Sequence, residues 1–369
     1  MKVLMVTHPY NFGPHLKGSA GTLSTLMEQY ITSSGMTYEY CTFIKDDILK
    51  AIKNGCTYII IFAYESIKTA SEFLGESSPD DGVIDRMYSE LYNIEKLVPI
   101  YPPVSVMELH YSKMYMVNLP NKTKIFMPHT KYFMYYKTTL NSNIKNACVY
   151  FKRMGVSKIV IKLGYSGDTN NVYIYTVEDL HADLSKTNLL TDLEYHRTMV
   201  GKPFLVIVQP FNPVVANRLN EYRMLVIGGL PVPIAAFGFR LSPENTRIYI
   251  PSVELDPENI SEHARILELA QTGYNILSKY IGPMVVIRVD ITWEILADGS
   301  KHYYINELEN LCGTFYFGIK YQPKEAARAH RITDKYQCVK EICSVYPRSI
   351  QTRMAKKFVL YLNQQEDIK

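Results

Sequence analysis

The sequence predicts a mixed fold in which a parallel α/β lobe comes first and an α+β region follows. Near the N-terminus, the apolar run Lys2–Thr7 precedes helical spacing at residues 23–31, and a helix at 47–53 precedes the β-branched run Tyr58–Phe62. Strand patterns crowd together in the second half of the chain. One long helical stripe at residues 264–281 interrupts them, which is typical of an antiparallel sheet backed by a helix.

The composition is that of a globular protein with a large core. The chain has 369 residues, 47% of them apolar, and its net charge of +4 is too small to indicate nucleic acid as a partner. No apolar run approaches the roughly 20 residues of a membrane span, and the N-terminus lacks the features of a signal peptide, so we expect a cytoplasmic protein without a membrane partner. Six cysteines without a CxxC pair indicate free thiols.

Turn-forming residues predict how the chain divides. The Gly-, Ser- and Pro-rich stretch at 75–103 predicts a loop, a helix and a domain boundary, so the first lobe is expected at residues 1–103. We expect a second lobe at 104–203, a third at 204–320, and a C-terminal helical segment at 321–369 that packs against the fold and takes no part in catalysis.

A β-hairpin near the C-terminal end of the strand-rich region is the most informative segment. Strand patterns at 284–296 and 300–309 flank Asp298-Gly299, a strong signal for a two-residue hairpin turn. That turn sets which residues face each other across the two strands. One face of the first strand is an apolar stripe expected to pack on the helix, formed by Val289, Ile291, Trp293 and Ile295.

The other face of the hairpin is expected to gather charge. The turn pairs Asp290 with Glu307 and Arg288 with Glu309, so all four side chains share one face. Opposed carboxylates repel, and a hard cation such as Mg²⁺ would compensate them. The alternative is a solvated outer face, but such faces usually mix the two signs. On this hypothesis, Asp290→Asn or Glu307→Gln removes repulsion and keeps or raises the melting temperature.

Two further elements have the chemistry of a nucleotide site. Lys162 ends an apolar strand before the glycine loop, which we define as residues 164–168, and is placed to bind a phosphate; the alternative is a lysine that extends to solvent. The strand at 204–209 breaks at a Pro-rich segment, 210–213, whose backbone could bind an adenine edge, or could be an ordinary edge strand and loop.

The order of these elements resembles that of the ATP-grasp superfamily, which includes D-alanine:D-alanine ligase and glutathione synthetase. The matching elements are Lys113, Lys162 with the glycine loop, Val206-Ile207-Val208-Gln209, Glu221-Tyr222-Arg223, Arg288-Val289-Asp290 and Glu307-Leu308-Glu309. The resemblance covers roughly residues 104–318. The preceding α/β segment resembles the substrate-binding lobe that comes before the ATP-grasp domain in that family.

The resemblance implies roles for residues that contact nucleotide. Lys113 and Lys162 would bind ATP phosphates, with the glycine loop closing over them through residues such as Ser166 and Gly167. The segment from Gln209 through Phe211 to Asn212 would be the adenine hinge, and Glu221 would reach the ribose.

The resemblance also implies a metal set and two arginines. Asp290, Glu307 and Glu309 would bind Mg²⁺, Arg288 would steady phosphate or the intermediate, and Arg240 stands where the family often has a substrate arginine. The chain departs from the family in having Glu-x-Glu in place of the usual Glu-x-Asn, and in having Asp168 in the glycine loop.

The resemblance implies an ATP- and Mg²⁺-dependent ligase that joins a carboxylate to an amine through an acylphosphate. The substrate would be a small molecule or a peptide with a carboxylate, together with an amine acceptor. Two alternatives remain open at this point: a small-molecule kinase of the same fold, and a degenerate nucleotide-binding or interaction protein. The sequence does not decide whether the chain forms a homodimer.

Overall fold

The computed structural model describes most of the chain. The described residues are 1–7, 19–63, 66–119, 125–166, 172–182, 184, 187–216, 221–237, 240–241, 247–248, 253–255, 261–309 and 348–367.

The secondary-structure elements follow, in chain order. The helices are α1 (Ser19–Ser33), α2 (Lys45–Lys53), α3 (Ile67–Leu74), α4 (Val83–Glu95), α5 (Val104–Tyr111), α6 (Tyr115–Asn118), α7 (Leu140–Arg153), α8 (Val177–Ala182), α9 (Leu189–Val200), α10 (Pro213–Ala216), α11 (Ser261–Ile281) and α12 (Arg348–Asp367). The strands are β1 (Lys2–Thr7), β2 (Thr37–Thr42), β3 (Tyr58–Phe62), β4 (Ile100–Tyr101), β5 (Lys131–Met134), β6 (Lys158–Leu163), β7 (Val172–Thr176), β8 (Leu205–Pro210), β9 (Tyr222–Ile227), β10 (Leu230–Phe237), β11 (Arg240–Leu241), β12 (Arg247–Ile248), β13 (Val253–Glu254), β14 (Val286–Ile295) and β15 (Lys301–Glu309).

The N-terminal sheet is parallel, with strand order β2-β1-β3-β4. Its central strands β1 and β3 are buried almost throughout, as expected for parallel strands that are covered on both faces. The parallel sheet predicted for the start of the chain is therefore confirmed. Strand β2 was not predicted, because this edge strand has no fully buried residue and no continuous apolar run.

A five-stranded antiparallel sheet, in the order β13-β10-β9-β14-β15, forms the second sheet of the chain. Helix α11 packs against it: an added Cβ on Gly273 would lie 2.7 Å from the Ile305 side chain, so glycine allows this close approach. The predicted apolar stripe holds for Val289, Ile291 and Trp293. It is wrong for Ile295, which is exposed beside the turn.

The C-terminal helix α12 completes a core that also contains β1, β3, β9 and β14. Met354, Phe358 and Leu362 of α12 are buried there, and the Phe358 ring lies 5.4 Å from that of Tyr101. Helix α12 thus packs on the fold, while the packing role expected for the whole segment stays a prediction. The rest of that segment, residues 321–347, lies outside the described residues.

The third sheet is antiparallel, with strand order β5-β8-β6-β7. Its strand β8 is paired on both sides, so the edge-strand interpretation of residues 204–209 is wrong. Buried side chains of α7 and α9, among them Phe151, Cys148, Leu189 and Leu193, belong to the same part of the chain.

Two compact units result from the contacts within the chain. The first comprises residues 1–64, 98–102 and 213–369, and the second comprises 65–97 and 103–212. Strand β8 lies after the domain boundary expected at residue 203, yet it belongs to the same unit as β6. Helices α3 and α4 belong to the second unit, although in sequence they lie between segments of the first. The sequence-based division into four lobes stays a proposal.

Candidate functional site

The register of the hairpin agrees with the prediction at the charged positions. Asp290 is paired with Glu307, and Arg288 with Glu309. These four charged side chains therefore share one face of the sheet, opposite Val289 and its partner Leu308.

The turn itself differs from the prediction. Ile295 pairs with Lys301 and the Leu296 amide donates to Ser300, so the loop has three residues, 297–299, with Gly299 at φ +81. This shifts the register by one residue. A β-bulge between Asp290 and Ile291 shifts it back, because two residues of β15 are accommodated opposite one of β14. The prediction of the pairing was right because these two departures cancel.

Asp290 and Arg288 form a buried ion pair on β14. The Arg288 Nε donates to Oδ1 of Asp290 at 2.7 Å and its second guanidinium nitrogen donates to Oδ2 at 2.8 Å. Both side chains are almost fully buried. A weaker contact of 3.6 Å joins Arg288 to the carboxylate of Glu309, which is about one-third exposed.

The charged face extends to the neighbouring strand β9. Glu221, just before β9, accepts from Arg223 Nε at 3.0 Å and from Asn306 Nδ2 at 2.8 Å. Arg223 Nε also lies 3.9 Å from Asp290 Oδ2. Asn306 is the extra residue of β15 at the bulge, so the hydrogen bond from β15 to Glu221 is made at the bulge. The ribose contact implied for Glu221 remains a proposal.

Burial and neighbouring charges act in opposite directions on the buried acids. Burial favours a raised pKa for Glu221, but Arg223, Asn306 and Arg288 together outweigh it and the pKa is lowered. For Asp290, burial and the nearby Glu221 outweigh Arg288, and the pKa is raised. The same pair of arginines therefore leaves Glu221 with a lowered pKa and Asp290 with a raised one.

The charged face has an excess of negative charge. It contains two arginines, Arg223 and Arg288, against the four acids Glu221, Asp290, Glu307 and Glu309, an excess of two negative charges when all are ionised. Among the described residues, no group of three or more His, Cys, Asp or Glu side chains is already arranged around a metal position. The donor chemistry nevertheless fits a hard divalent cation, because Glu307 and Glu309 are partly exposed oxygen donors and Asp290 oxygens retain lone pairs beyond those that Arg288 uses.

In the second unit, Lys162 lies within a mainly apolar face of the four-stranded sheet. The register places Tyr132, Ile207, Lys162 and Val172 in one row across β5, β8, β6 and β7. Val172, like Ile174 one row away on the same face, has an exposed side chain. A partly exposed lysine thus lies beside apolar surface on which a flat ring could lie.

Lys113 lies in the turn between α5 and α6, with a positive φ of +59, and it is buried. The preceding residue touches the base of the glycine loop: a Cβ on Gly164 would come within 2.4 Å of the Ser112 carbonyl oxygen. The Tyr165 amide donates to the Tyr111 carbonyl at 2.6 Å. The backbone that bears Lys113 and the glycine loop that follows Lys162 are therefore in direct contact.

The remaining predicted nucleotide residues have structural partners of their own. Ser166 is buried and its hydroxyl donates to the Leu163 carbonyl at 2.5 Å; Gly167 and Asp168 lie outside the described residues. Gln209 is buried and donates to Thr130 at 3.2 Å. The Phe211 amide donates to the Lys158 carbonyl, so this backbone donor of the expected hinge is already used.

Arg240 belongs to the short strand β11 and is paired through its backbone register with Ile248 of β12. It is part of the first unit, as are Arg288 and Asp290. The role implied for it remains a proposal.

The sequence led to no functional role for two residues of the charged face. Arg223 was visible as part of Glu221-Tyr222-Arg223 but received no role, and Asn306 was placed opposite Ile291 by the two-residue turn. The sequence did contain a signal for Arg223, because Glu221 lies two residues before it and residues two apart on a strand share a face. No local pattern indicates the bulge at Asn306.

Comparisons with known proteins identify the fold. No protein-family model and no curated protein matches the sequence. Among solved structures, the chain is similar to D-cycloserine synthetase, with 15% identity, a TM-score of 0.59, and coverage of 98% of this chain and 100% of that one. It is also similar to biotin carboxylase from Campylobacter jejuni in a β,γ-ATP complex, with 12% identity and a TM-score of 0.51. That match covers 97% of this chain and 70% of the other.

D-alanyl-alanine synthetase A from Vibrio cholerae matches with 15% identity and a TM-score of 0.48, over 93% of this chain and 98% of that one. The matching structures are ATP-grasp proteins, and the chain has the ATP-grasp fold. At these identities the likeness establishes the fold alone. None of the helices in the described part of the chain is long and apolar enough to cross a membrane.

Proposed function

We propose that the protein is an ATP- and Mg²⁺-dependent ligase that joins a carboxylate to an amine. The proposal rests on the charged face of the hairpin, where Arg288, Asp290, Glu307 and Glu309 lie together in an ATP-grasp fold with an excess of negative charge. This arrangement supplies arginines for a phosphoryl group and oxygen ligands for a cation, which are the groups that phosphoryl transfer requires.

The proposed reaction has two steps. An oxygen of the substrate carboxylate attacks the γ-phosphorus of ATP, the bond from that phosphorus to the β,γ-bridging oxygen breaks, and ADP leaves. The amine nitrogen then attacks the carbonyl carbon of the acylphosphate, the carbon–oxygen bond to phosphate breaks, and the nitrogen loses a proton to water. No covalent enzyme intermediate is needed, so the work of the protein is positioning and charge neutralisation.

In the second unit, Lys113 and Lys162 would neutralise the phosphates, and the apolar face beside Lys162 would take the adenine ring, with Gln209 and Phe211 at its border. The Ser166 side chain is already engaged with the protein, so its backbone groups are the better candidates for nucleotide contacts.

In the first unit, Arg288 would stabilise the transferring phosphoryl group and Arg240 would bind the substrate carboxylate. Glu307 and Glu309, with Asp290, would hold Mg²⁺. When bound, that ion would neutralise phosphate oxygens and orient the γ-phosphoryl group. Glu309 stands where the family usually has asparagine, and its extra charge favours a divalent cation.

A screen for product formation tests the proposal. The purified protein is incubated with ATP, Mg²⁺ and pairs of amino acids or short peptides, and ADP, phosphate and the condensed product are measured. The proposal predicts that ADP accumulates only when both a carboxylate and an amine are present, in equal amount to the product. A stable phosphorylated product would instead indicate a kinase. Failure of folded protein to bind Mg²⁺-ATP in calorimetry would indicate a binding or interaction protein.

A further inference from the structure

A partly buried polar network in the second unit has no role in the proposed reaction. The Glu108 carboxylate accepts hydrogen bonds from the Tyr92 hydroxyl at 2.8 Å and the Tyr165 hydroxyl at 3.0 Å, and it also pairs with Lys202. Lys202 makes a second ion pair of 3.1 Å with Asp85. Five side chains from α4, α5, the glycine loop and the segment after α9 therefore form this network, and three of them contact the Glu108 carboxylate.

The environment of this network strengthens its ionic contacts. The side chains of Glu108 and Lys202 are each only about one-fifth exposed, and Lys202 Nζ lies 5.2 Å from the ring centre of Tyr165 and 5.3 Å from that of Tyr88. Burial acts to raise the pKa of Glu108, but Lys202, Tyr92 and Tyr165 outweigh it and the pKa is lowered. Glu108 is therefore held in its charged form.

The network holds the base of the glycine loop. Tyr165 is the second residue of that loop and has a positive φ of +57, a conformation that a residue with a side chain keeps only when its surroundings fix it. Its hydroxyl is held by Glu108 and its amide by the Tyr111 carbonyl. On the preceding residue, the Gly164 carbonyl lies 2.8 Å from the buried His196 Nε2.

The same junction holds the turn that bears Lys113. Glu108 belongs to α5, the helix that leads directly into Ser112 and Lys113, and the Ser112 carbonyl packs against Gly164. One ionic network thus ties together the two backbone segments from which the proposed phosphate-binding lysines Lys113 and Lys162 extend.

We propose that Glu108 and Lys202 are positioning residues that fix the spacing between the Lys113 turn and the base of the glycine loop, so that both lysines bind the same polyphosphate. This inference rests on the proposed nucleotide site. Two lysines held at a fixed spacing bind phosphates with a smaller loss of conformational entropy than two that must be ordered by the ligand. Loosening the junction should therefore weaken nucleotide binding without removing any group that touches it.

The experiment compares Glu108→Gln and Lys202→Met with Lys202→Arg, which keeps the charge. The matched control is Glu76→Gln, which removes the charge of another partly buried ion pair in the same unit, that of Glu76 with Arg86. For each variant, ATP affinity is measured by calorimetry and the melting temperature by circular dichroism. Hydrogen exchange of peptides covering residues 158–166 is measured in the absence of nucleotide.

The proposal predicts that Glu108→Gln and Lys202→Met raise the dissociation constant for ATP about tenfold and speed exchange at residues 164–166. Lys202→Arg should recover most of the affinity. Glu76→Gln should change neither the ATP affinity nor the exchange at residues 164–166, even if it lowers the melting temperature as much as Glu108→Gln does.

Unchanged ATP affinity in Glu108→Gln would overturn the proposal, as would an equal loss of affinity in Glu76→Gln. A failure of the nucleotide site itself is distinguished by the unmodified protein: if that protein does not bind ATP, the proposed function is wrong. The exchange measurement then still decides whether Glu108 anchors the loop.

Discussion

Both carboxylate oxygens of Asp290 accept hydrogen bonds from the guanidinium of Arg288, two residues earlier on the same strand. The pair lies at the centre of the charged face and is almost fully buried. The sequence pattern indicated mutual repulsion among Asp290, Glu307 and Glu309. The structure instead gives Asp290 a bidentate partner, and this reverses one expectation about stability.

We predict that Asp290→Asn lowers the free energy of unfolding by about 3 kcal/mol, because it leaves the buried Arg288 charge with only the weaker 3.6 Å contact to Glu309. Glu307→Gln affects a partly exposed side chain and should stay within about 0.5 kcal/mol of the unmodified protein. Urea denaturation measures both. Asp290→Asn with an unchanged or raised melting temperature would support the repulsion hypothesis over the ion pair.

Lys162→Ala should weaken ATP binding while the fold is retained. One charge-assisted bond to phosphate is worth about 1.5–3 kcal/mol, so the dissociation constant should rise roughly 10- to 100-fold. The matched control is Lys158→Ala, which removes an exposed lysine from the same face of the same strand. Calorimetric titration of both variants with ATP and Mg²⁺ makes the comparison. Equal affinities in the two variants would remove Lys162 from the site.

Stability of the second unit should decrease in mild acid because of His196. Burial lowers the pKa of this histidine from 6.5 to about 4, although its bond to the Gly164 carbonyl opposes the shift. Between these pH values the unfolded chain binds a proton that the folded chain does not, so stability is lost as the pH falls through this window.

The loss from His196 should reach about 3 kcal/mol when the pH falls from 7 to 4. His196→Gln cannot take up this proton and should flatten the dependence, whereas His181→Gln, on the exposed part of α8, should leave it unchanged. Unfolding curves at a series of pH values make the measurement. An unaltered slope in His196→Gln would show that other groups cause the acid sensitivity.

The C-terminal helix α12 should contribute to stability through one face only. Phe358→Ala removes a fully buried ring from the core shared with Tyr101 and should cost about 3–5 kcal/mol. Leu360→Ala, two residues further along the helix, removes a side chain that is 53% exposed and should cost less than about 0.5 kcal/mol. Similar melting temperatures for the two variants would contradict the packing of α12 on this core.

The sequence by itself determined the features that depend on neighbours along the chain. The alternation of Val289, Asp290 and Ile291 gave the two faces of β14, and the spacing within residues 264–281 gave the stripe of α11. The Asp-Gly turn signal located the hairpin within one residue. Such patterns are local because side chains alternate across a strand and recur every three or four residues on a helix.

Tertiary structure decided the partners of the charged groups. Asn306, at the bulge, donates a hydrogen bond to Glu221, which is 85 residues earlier in the chain. Glu108 forms an ion pair with Lys202, which is 94 residues later. Periodicity contains no information about such pairs. A buried charge is stable only where the folded chain brings a partner to it, so whether Asp290 repels its neighbours or pairs with Arg288 depends on the packing of three strands around it.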